Sequence, residues 1–547
     1  MKTMRTCVSA QGKFTYGIHH PAFRVKHLRG DERICNLGAF ADGEPCTNHV
    51  NFPAGDVDVP CADTVYEIPN AFGFRGVTYI NKRWADENAA DPVGRIRLPK
   101  APEVSFSGVL SEWAGGGAVD PEQKSRMLRA LPEPLQLALA ETGTDAGDLS
   151  CLAEMACEFT FNPETRRPDG LVFQKDGTGT VRAVIHNRTL FEVLANNPYL
   201  PDAYKEVMVL RPGVQGPNEI MGQWQSPDGS SRVYEYLRCN SYIPWGHYAA
   251  NMAEDSIRYR MSELGCQDMR GMRHLYYQRT YVRMAADLGL EVKIQQRALS
   301  EDELEDLRCR LLERLADARL REKLGFNRTL WGWNYGFDYA PTRYRLHASH
   351  QQVHQQYAMI PKSVSQTPGF DNPMPSYAVG DMVEAFAWQY AEQTGAAFFD
   401  AYIAAIENNR RMQGAPEGEH SLVIHSDENV LVFVPKAQTS QWEVNVMARQ
   451  PVGNIVEADI HMRRSLDIAL LTAARALSNM GARMITSYEI SKPMDSADTH
   501  QRLIYTLLPR LPESPGGFSE SQLRWINGHY PEDFAAACRA ACPASIS

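Results

Sequence analysis

Between residues 291 and 336 the hydrophobic pattern changes period twice. "EVKI" alternates apolar and polar residues at period two, which predicts a strand with one buried face. "SEDELEDLRCRLLERLADARL" then repeats apolar residues at spacings of three and four, which predicts an amphipathic helix. Ser300 and Glu303 stand three apart at its start, the spacing of a capping box. "TLWGWNYGFD" returns to strand and turn. The same succession recurs after a proline-rich linker, "SVSQTPGFDNPMPSY". "MVEAFAWQYAEQTGAAFFDAYIAAIENNRRMQG" predicts helix. "HSLVIHSDENVLVFVPKAQTSQWEVNVMAR" predicts two or three strands with a turn at D-E-N. "MRRSLDIALLTAARALSNMG" predicts a helix ended by Gly481, and "LIYTLLPRLP" a last strand. "EVKIQQR" begins at Glu291 and "EVNVMAR" at Glu443, a shift of 152 positions. A duplicated strand–helix–strand unit accounts for this echo.

Earlier in the chain, "CEFTFNPETRRPDGLVFQ" reads as strand, turn, strand. Residues 1–150 are rich in Gly, Pro and Asn. They show little helical periodicity outside "PEQKSRMLRALPEPLQLALAETG", for which Asp120 is an N-cap and Pro121 the first helical residue. The pattern thus predicts an α+β protein in three parts: an irregular N-terminal extension (1–150), a first half (151–375) and a second half (376–547).

Composition narrows the function. The chain has 547 residues, 44% hydrophobic and 22% charged, with net charge −10. The acidic balance argues against binding a nucleic-acid backbone. It does not exclude a nucleotide, because one phosphate needs only a few local donors. No apolar run approaches the roughly 18 residues of a membrane span, and the N-terminus lacks the apolar core of a signal peptide. The eleven cysteines include no C-x-x-C pair, which fits reduced thiols and a cytoplasmic location. Cys35, Cys46 and Cys61 with His49 have the ligand types of a zinc site, at looser spacing than zinc motifs use.

One stretch stands apart. "RLHASHQQVHQQYAMIP", Arg345 to Pro361, packs three histidines and four glutamines into a segment of strand character. Strand alternation puts His350, Gln352, His354 and Gln356 on one face. Four polar side chains cannot form ordinary core, so this face meets water, a ligand or a hydrogen-bonded network. On a regular strand His350 and His354 are roughly 13 Å apart, too far to share one ion. A single imidazole beside a neutral amide donor suits nucleophilic attack on phosphorus, which points to His354 with Gln356. The residues alone also allow a solvent-exposed strand with incidental histidines.

The motifs here resemble the galactose-1-phosphate uridylyltransferase and dinucleoside polyphosphate phosphorylase branch of the histidine-triad superfamily. That branch carries N-x-G, matched by Asn334 to Gly336, and then S-x-x-H-x-H-x-Q-x-x-x-x-P, matched by Ser349, Gln352, His354, Gln356 and Pro361. "FNPETRRP" is similar to the branch's S-P-H-R-x-x-R-P segment and marks Arg167 as a phosphate-binding candidate. "NVLVFVPKAQTSQWEVNVMAR" and the C-terminal "TLLPRLPESPGGFSESQLRWINGHYPEDFAAACR" extend the likeness, which covers about 155–542.

The resemblance implies a duplicated antiparallel sheet with helices. It implies a covalent nucleotidyl-histidine on His354, with Gln356 supporting the phosphate and Asn334, Ser349 and Gln352 as substrate-binding candidates. A nucleotide or nucleoside-diphosphate sugar is the implied substrate, and a homodimer the implied assembly. Two departures stand out. Gln352 replaces the first histidine of H-x-H, a zinc ligand in the transferases, and its cysteine partners have no counterpart. Ile504 and Thr506 replace a second, C-terminal H-x-H. The usual zinc site is therefore expected to be lost and no other cofactor is implied. A degenerate relative that binds a nucleotide without chemistry is the alternative.

Overall fold

The computed structural model describes residues 4–26, 37–47, 55–100, 102–117, 120–175, 177, 181–210, 261, 264–292, 297–336, 354–412, 414, 418–511 and 517–543. Seven strands form the central antiparallel sheet: β1 (Arg328–Gly336), β2 (His354–Ile360), β3 (Val423–Ser426), β4 (Val430–Phe433), β5 (Val444–Ala448), β6 (Met484–Ile490) and β7 (Ile504–Pro509). Their order across the sheet is β2-β1-β6-β7-β5-β4-β3. The fold is α+β, and the sheet joins strands from before and after the proline-rich linker. The expected "EVKI" strand covers residues 291–294, of which 293 and 294 lie outside the described residues.

Helices cover one face: α1 (Cys266–Asp287), α2 (Glu301–Leu315) and α5 (Ile460–Asn479). Strand alternation sends Trp331, Trp333, Val432, Val446, Tyr505 and Leu507 into one core with these helices. The capping box of α2 forms as its spacing predicts: Glu303 N–H donates to Ser300 Oγ, and Ser300 N–H to the Glu303 carboxylate. On α5, Asp459 accepts from the Met462 N–H at 2.8 Å. Gly481 follows its end at φ +103°, a left-handed conformation that suits glycine.

On the opposite face, Leu431, Phe433, Met447 and Ile504 pack against α3 (Val379–Thr394), α4 (Phe398–Glu407) and residues of the N-terminal region, among them Cys7, Tyr66, Ile68 and Phe72. Burial on both faces explains why β4 and β5 are apolar almost throughout, without the alternation of a half-exposed strand. Arg75 pins the N-terminal region down, reaching Glu443 (3.3 Å), Thr439 (3.1 Å) and the Tyr488 hydroxyl (2.7 Å). A further core unites Leu128, Leu149, Leu152, Leu190, Leu194 and Met208, so it runs through residue 150.

The stretch around 504–509 forms a strand as expected, but it is not the last. Arg524–Asn527 pairs in parallel with Val77–Asn81, at the edge of a four-stranded sheet that also contains Gly17–His19 and Val65–Pro69. A four-residue strand whose partner lies some 450 positions earlier leaves no local signal. The pairing is tight where it begins. Val77 N–H donates to the Leu523 carbonyl at 3.0 Å, and Trp525 Nε1 to the Arg75 carbonyl at 3.0 Å. Gly76 sits between them at φ +97°, and a Cβ there would lie 2.1 Å from the Leu523 oxygen. Gly76→Ala is therefore expected to destabilise the protein by about 2 kcal/mol. Hydrogen exchange should quicken at residues 77–81 and 524–527 and stay unchanged in β4 and β5.

Candidate functional site

β1 and β2 carry the candidate residues, and their register sets the geometry. Asn334 stands opposite His354, and Gly332 opposite Gln356. Register partners of an antiparallel pair share a face, so positions 332, 334, 354 and 356 belong together on one side of the sheet. On its other flank β1 meets β6, where Asn334 stands opposite Thr486 and Gly332 opposite Tyr488. Tyr488 faces the N-terminal region through Arg75. The candidate positions therefore lie on the sheet face opposite α1, α2 and α5.

Two expected members, Ser349 and Gln352, lie outside the described residues, as do His350, Cys35 and His49. Arg167 is exposed at the end of the turn joining Phe159–Phe161 to Pro168–Leu171. Its carbonyl accepts from the Asn162 N–H at 2.9 Å. This hairpin pairs with no strand of the central sheet among the described residues. The structure thus brings Asn334, His354 and Gln356 onto one pair of strands and leaves Arg167 on a separate small sheet. Trp331 and Trp333 are buried in the helix-side core. The acidic Glu301, Asp302 and Glu303 stand in the first turn of α2, where they suit the helix dipole.

The pattern of apolar residues gave no warning of what lies beneath β1. Arg273 of α1 is fully buried. Its Nη2 donates to the hydroxyls of Tyr277 and Tyr505, each at 2.6 Å. Its guanidinium lies 4.6 Å from the ring centres of both Trp331 and Tyr505, within cation–π range. The Tyr505 hydroxyl donates onward to Glu489 Oε2 at 2.7 Å, and Tyr276 to Glu489 Oε1 at 3.0 Å. Thr329 of β1 donates to the same Oε1 at 3.3 Å. Asp467 of α5 completes the cluster with a 3.5 Å ion pair to Arg273 Nε.

This network ties α1 and α5 to β1, β6 and β7. It reaches β2 through the Tyr276–Tyr357 ring contact at 5.5 Å. The strand pair that carries the candidate residues thus rests on a buried cation. The only trace in the sequence is "RHLYY", an arginine followed at three and four positions by tyrosines within an otherwise apolar helix face.

Two members of the loosely spaced Cys/His set, Cys46 and Cys61, are free thiols. Among the described residues no group of three or more His, Cys, Asp or Glu could hold a metal ion. No helix among them is long and apolar enough to cross a membrane.

No family model matches the chain, and no curated protein matches it. Solved structures do. A mutant uridylyltransferase shares 14% identity at a TM-score of 0.32, over 45% of this chain and 72% of its own. A galt-like protein from Arabidopsis thaliana shares 14% at 0.31, over 44% and 69%. An ADP-glucose phosphorylase from the same plant, solved with bound ADP-glucose, shares 14% at 0.30, over 44% and 65%.

Burial pushes the Asp467 carboxyl up to about 7 from its ordinary 3.8, against the pull of Arg273, Arg463 and Arg270. A carboxyl whose pKa is raised on folding binds more protons folded than unfolded. Its contribution to stability therefore falls as pH rises between about 4 and 7. Urea titrations across this window should show a steeper loss of stability in the wild type than in Asp467→Asn. A second test removes the cation. Arg273→Met leaves buried carboxylates without their partner and should cost about 3 kcal/mol. Adding Glu489→Gln should recover part of that loss in a double-mutant cycle.

Proposed function

We propose that this protein is a nucleotidyltransferase or nucleotide phosphorylase that works through a covalent nucleotidyl-histidine at His354. One observation carries the reading: the β1–β2 register sets Asn334 of the N-x-G motif opposite His354, and Gln356 two residues along the same strand. Two motifs some 20 positions apart in sequence thereby stand on paired strands.

In the first displacement a ring nitrogen of His354 attacks the α-phosphorus of the donor. The P–N bond forms as the P–O bond to the departing phosphate or sugar phosphate breaks. In the second, an incoming phosphate or sugar phosphate oxygen attacks the same phosphorus and the P–N bond breaks. Neutral imidazole is abundant at pH 7, which suits it to the first step. Gln356 and Asn334 supply amide donors for phosphoryl oxygens, and such preorganised donors stabilise the charge that develops there. Ser349, Gln352 and Arg167 are assigned to substrate binding on the strength of their motif positions.

The duplication proposed from the 152-residue echo gains support from the same ladder. Asn334 and Thr486, which that shift relates, are direct register partners across β1 and β6, as expected if an approximate twofold axis passes between them. The shift carries His354 onto Thr506, which is fully buried, so only the first half would keep a nucleophile. With Ile504 beside it, this position has no donor set to fit the metal of the C-terminal H-x-H. The mechanism uses no step through a metal.

The test is to incubate the full chain with radiolabelled nucleotides and nucleoside-diphosphate sugars, then denature it. An acid-labile label should remain on the wild-type protein and be absent from His354→Ala, whose turnover should fall about 1000-fold or more. Full turnover in His354→Ala would sink the mechanism. Saturable nucleotide binding with neither adduct nor product would instead favour a binding protein without chemistry.

A further inference from the structure

A cavity of about 860 Å³ opens where the N-terminal region meets the end of α4 and the loop after β4. Its volume lies within the range of small-molecule sites, about 300–1,000 Å³. Every titratable acid or base on its described lining, apart from Tyr16, is a base: Lys13, Arg410, Arg411, His420 and Lys436. That is unusual in a chain with net charge −10.

The bases fall into two groups. Lys436 and Arg411 belong to the wall and are neutralised from behind. Lys436, almost fully buried, pairs with Glu532 and donates to Asn409 Oδ1 at 2.9 Å and the Arg410 carbonyl at 3.1 Å. Arg411 forms a two-pronged pair with Asp533, at 2.7 and 2.9 Å. Both carboxylates stand in the first turn of α6 (Pro531–Ala541). Lys13, Arg410 and His420 are exposed and make no ion pair among the described residues. Lys13 and Arg410 therefore leave two formal positive charges uncompensated at the cavity.

A bland account is at hand, because cations gather at helix C-termini to meet free carbonyls. It covers Lys436, which bonds the Arg410 carbonyl after α4. It does not cover Lys13, which is held at the cavity from another part of the chain. The Ser9–Lys13 turn closes with Ser9 N–H donating to the Lys13 carbonyl at 2.9 Å. Gly12 takes φ +64° at its tip, and a Cβ there would lie 2.7 Å from Ala404 Cβ. Only glycine lets the turn lie flat on α4 and present Lys13 at this rim.

We infer that this cavity is a binding site for a small phosphorylated ligand, with Lys13 and Arg410 as its phosphate contacts and His420 at its edge. The wall cations hold the site's shape and the free cations meet the anion. The cavity is several times larger than a phosphate ion, so the ligand has an organic part, and the Phe14 and Tyr16 rings line the space it would fill. The site is separate from His354: β4 stands five strand spacings from β2, roughly 24 Å.

The probe is inorganic pyrophosphate, titrated calorimetrically into the full chain at low ionic strength. Saturable binding is expected, weakened at least tenfold in Lys13→Ser/Arg410→Ser, since charge-assisted bonds to phosphate are among the stronger polar contacts. Both side chains are exposed and hold no other element, so the variant should fold. Its melting temperature and its adduct formation at His354 should match the wild type. His354→Ala should bind pyrophosphate at this site as the wild type does. No saturable binding, or equal affinity in Lys13→Ser/Arg410→Ser, would overturn the inference. So would loss of the binding in His354→Ala, which would place it at the other end of the sheet.

Discussion

A single guanidinium organises the centre of this molecule. Arg273 lies where water cannot reach it, and nothing in an apolar core repays the desolvation of a cation except charges, hydroxyls and ring faces held close. The fold supplies all three. Two tyrosine hydroxyls accept its protons, two aromatic rings lie against its face, and Glu489 and Asp467 balance its charge. Each partner comes from a different element, so β1, β6 and β7 cannot shift against α1 and α5 without exposing an unpaired ion. That constraint extends to β1, and through it to the register of β2.

The sheet divides labour between its faces. The helix side is a continuous apolar core around this polar knot. The other side is covered over β4–β7 by α3, α4 and the N-terminal region. The covering is thinner over β1, where Leu330 is 41% exposed. Gly332 lies on the same side of β1 as Leu330. A strand buried on both faces would have no use for histidine and glutamine at alternate positions. The inner face of β1 keeps Trp331 and Trp333 in the core.

The N-terminal region changes character once packing is known. In sequence it looks like an irregular appendage. In the structure part of it closes the second face of the central sheet, with Arg75 set among Glu443, Thr439 and Tyr488. It also borrows a strand from the far end of the chain. The same region forms one rim of the basic cavity, opposite the end of α4.

Local chemistry made much of this legible in the sequence. The Ser300–Glu303 capping box, the Asp120–Pro121 helix start, the D-E-N turn after β3 and the stop at Gly481 each depend on residues a few positions apart. Strand alternation likewise predicted a strand with His350, Gln352, His354 and Gln356 on one face, of which the described part, β2, begins at His354, and motif order singled out His354, Gln356 and Asn334 as candidates. The tertiary structure alone decided what those residues stand against. The register that sets Asn334 opposite His354 and the burial of Arg273 with Glu489 and Asp467 join segments tens to hundreds of positions apart. Periodicity reports which face of an element is apolar. It carries no record of which distant element covers that face, because burial depends on the assembled neighbours and not on the local run of residues.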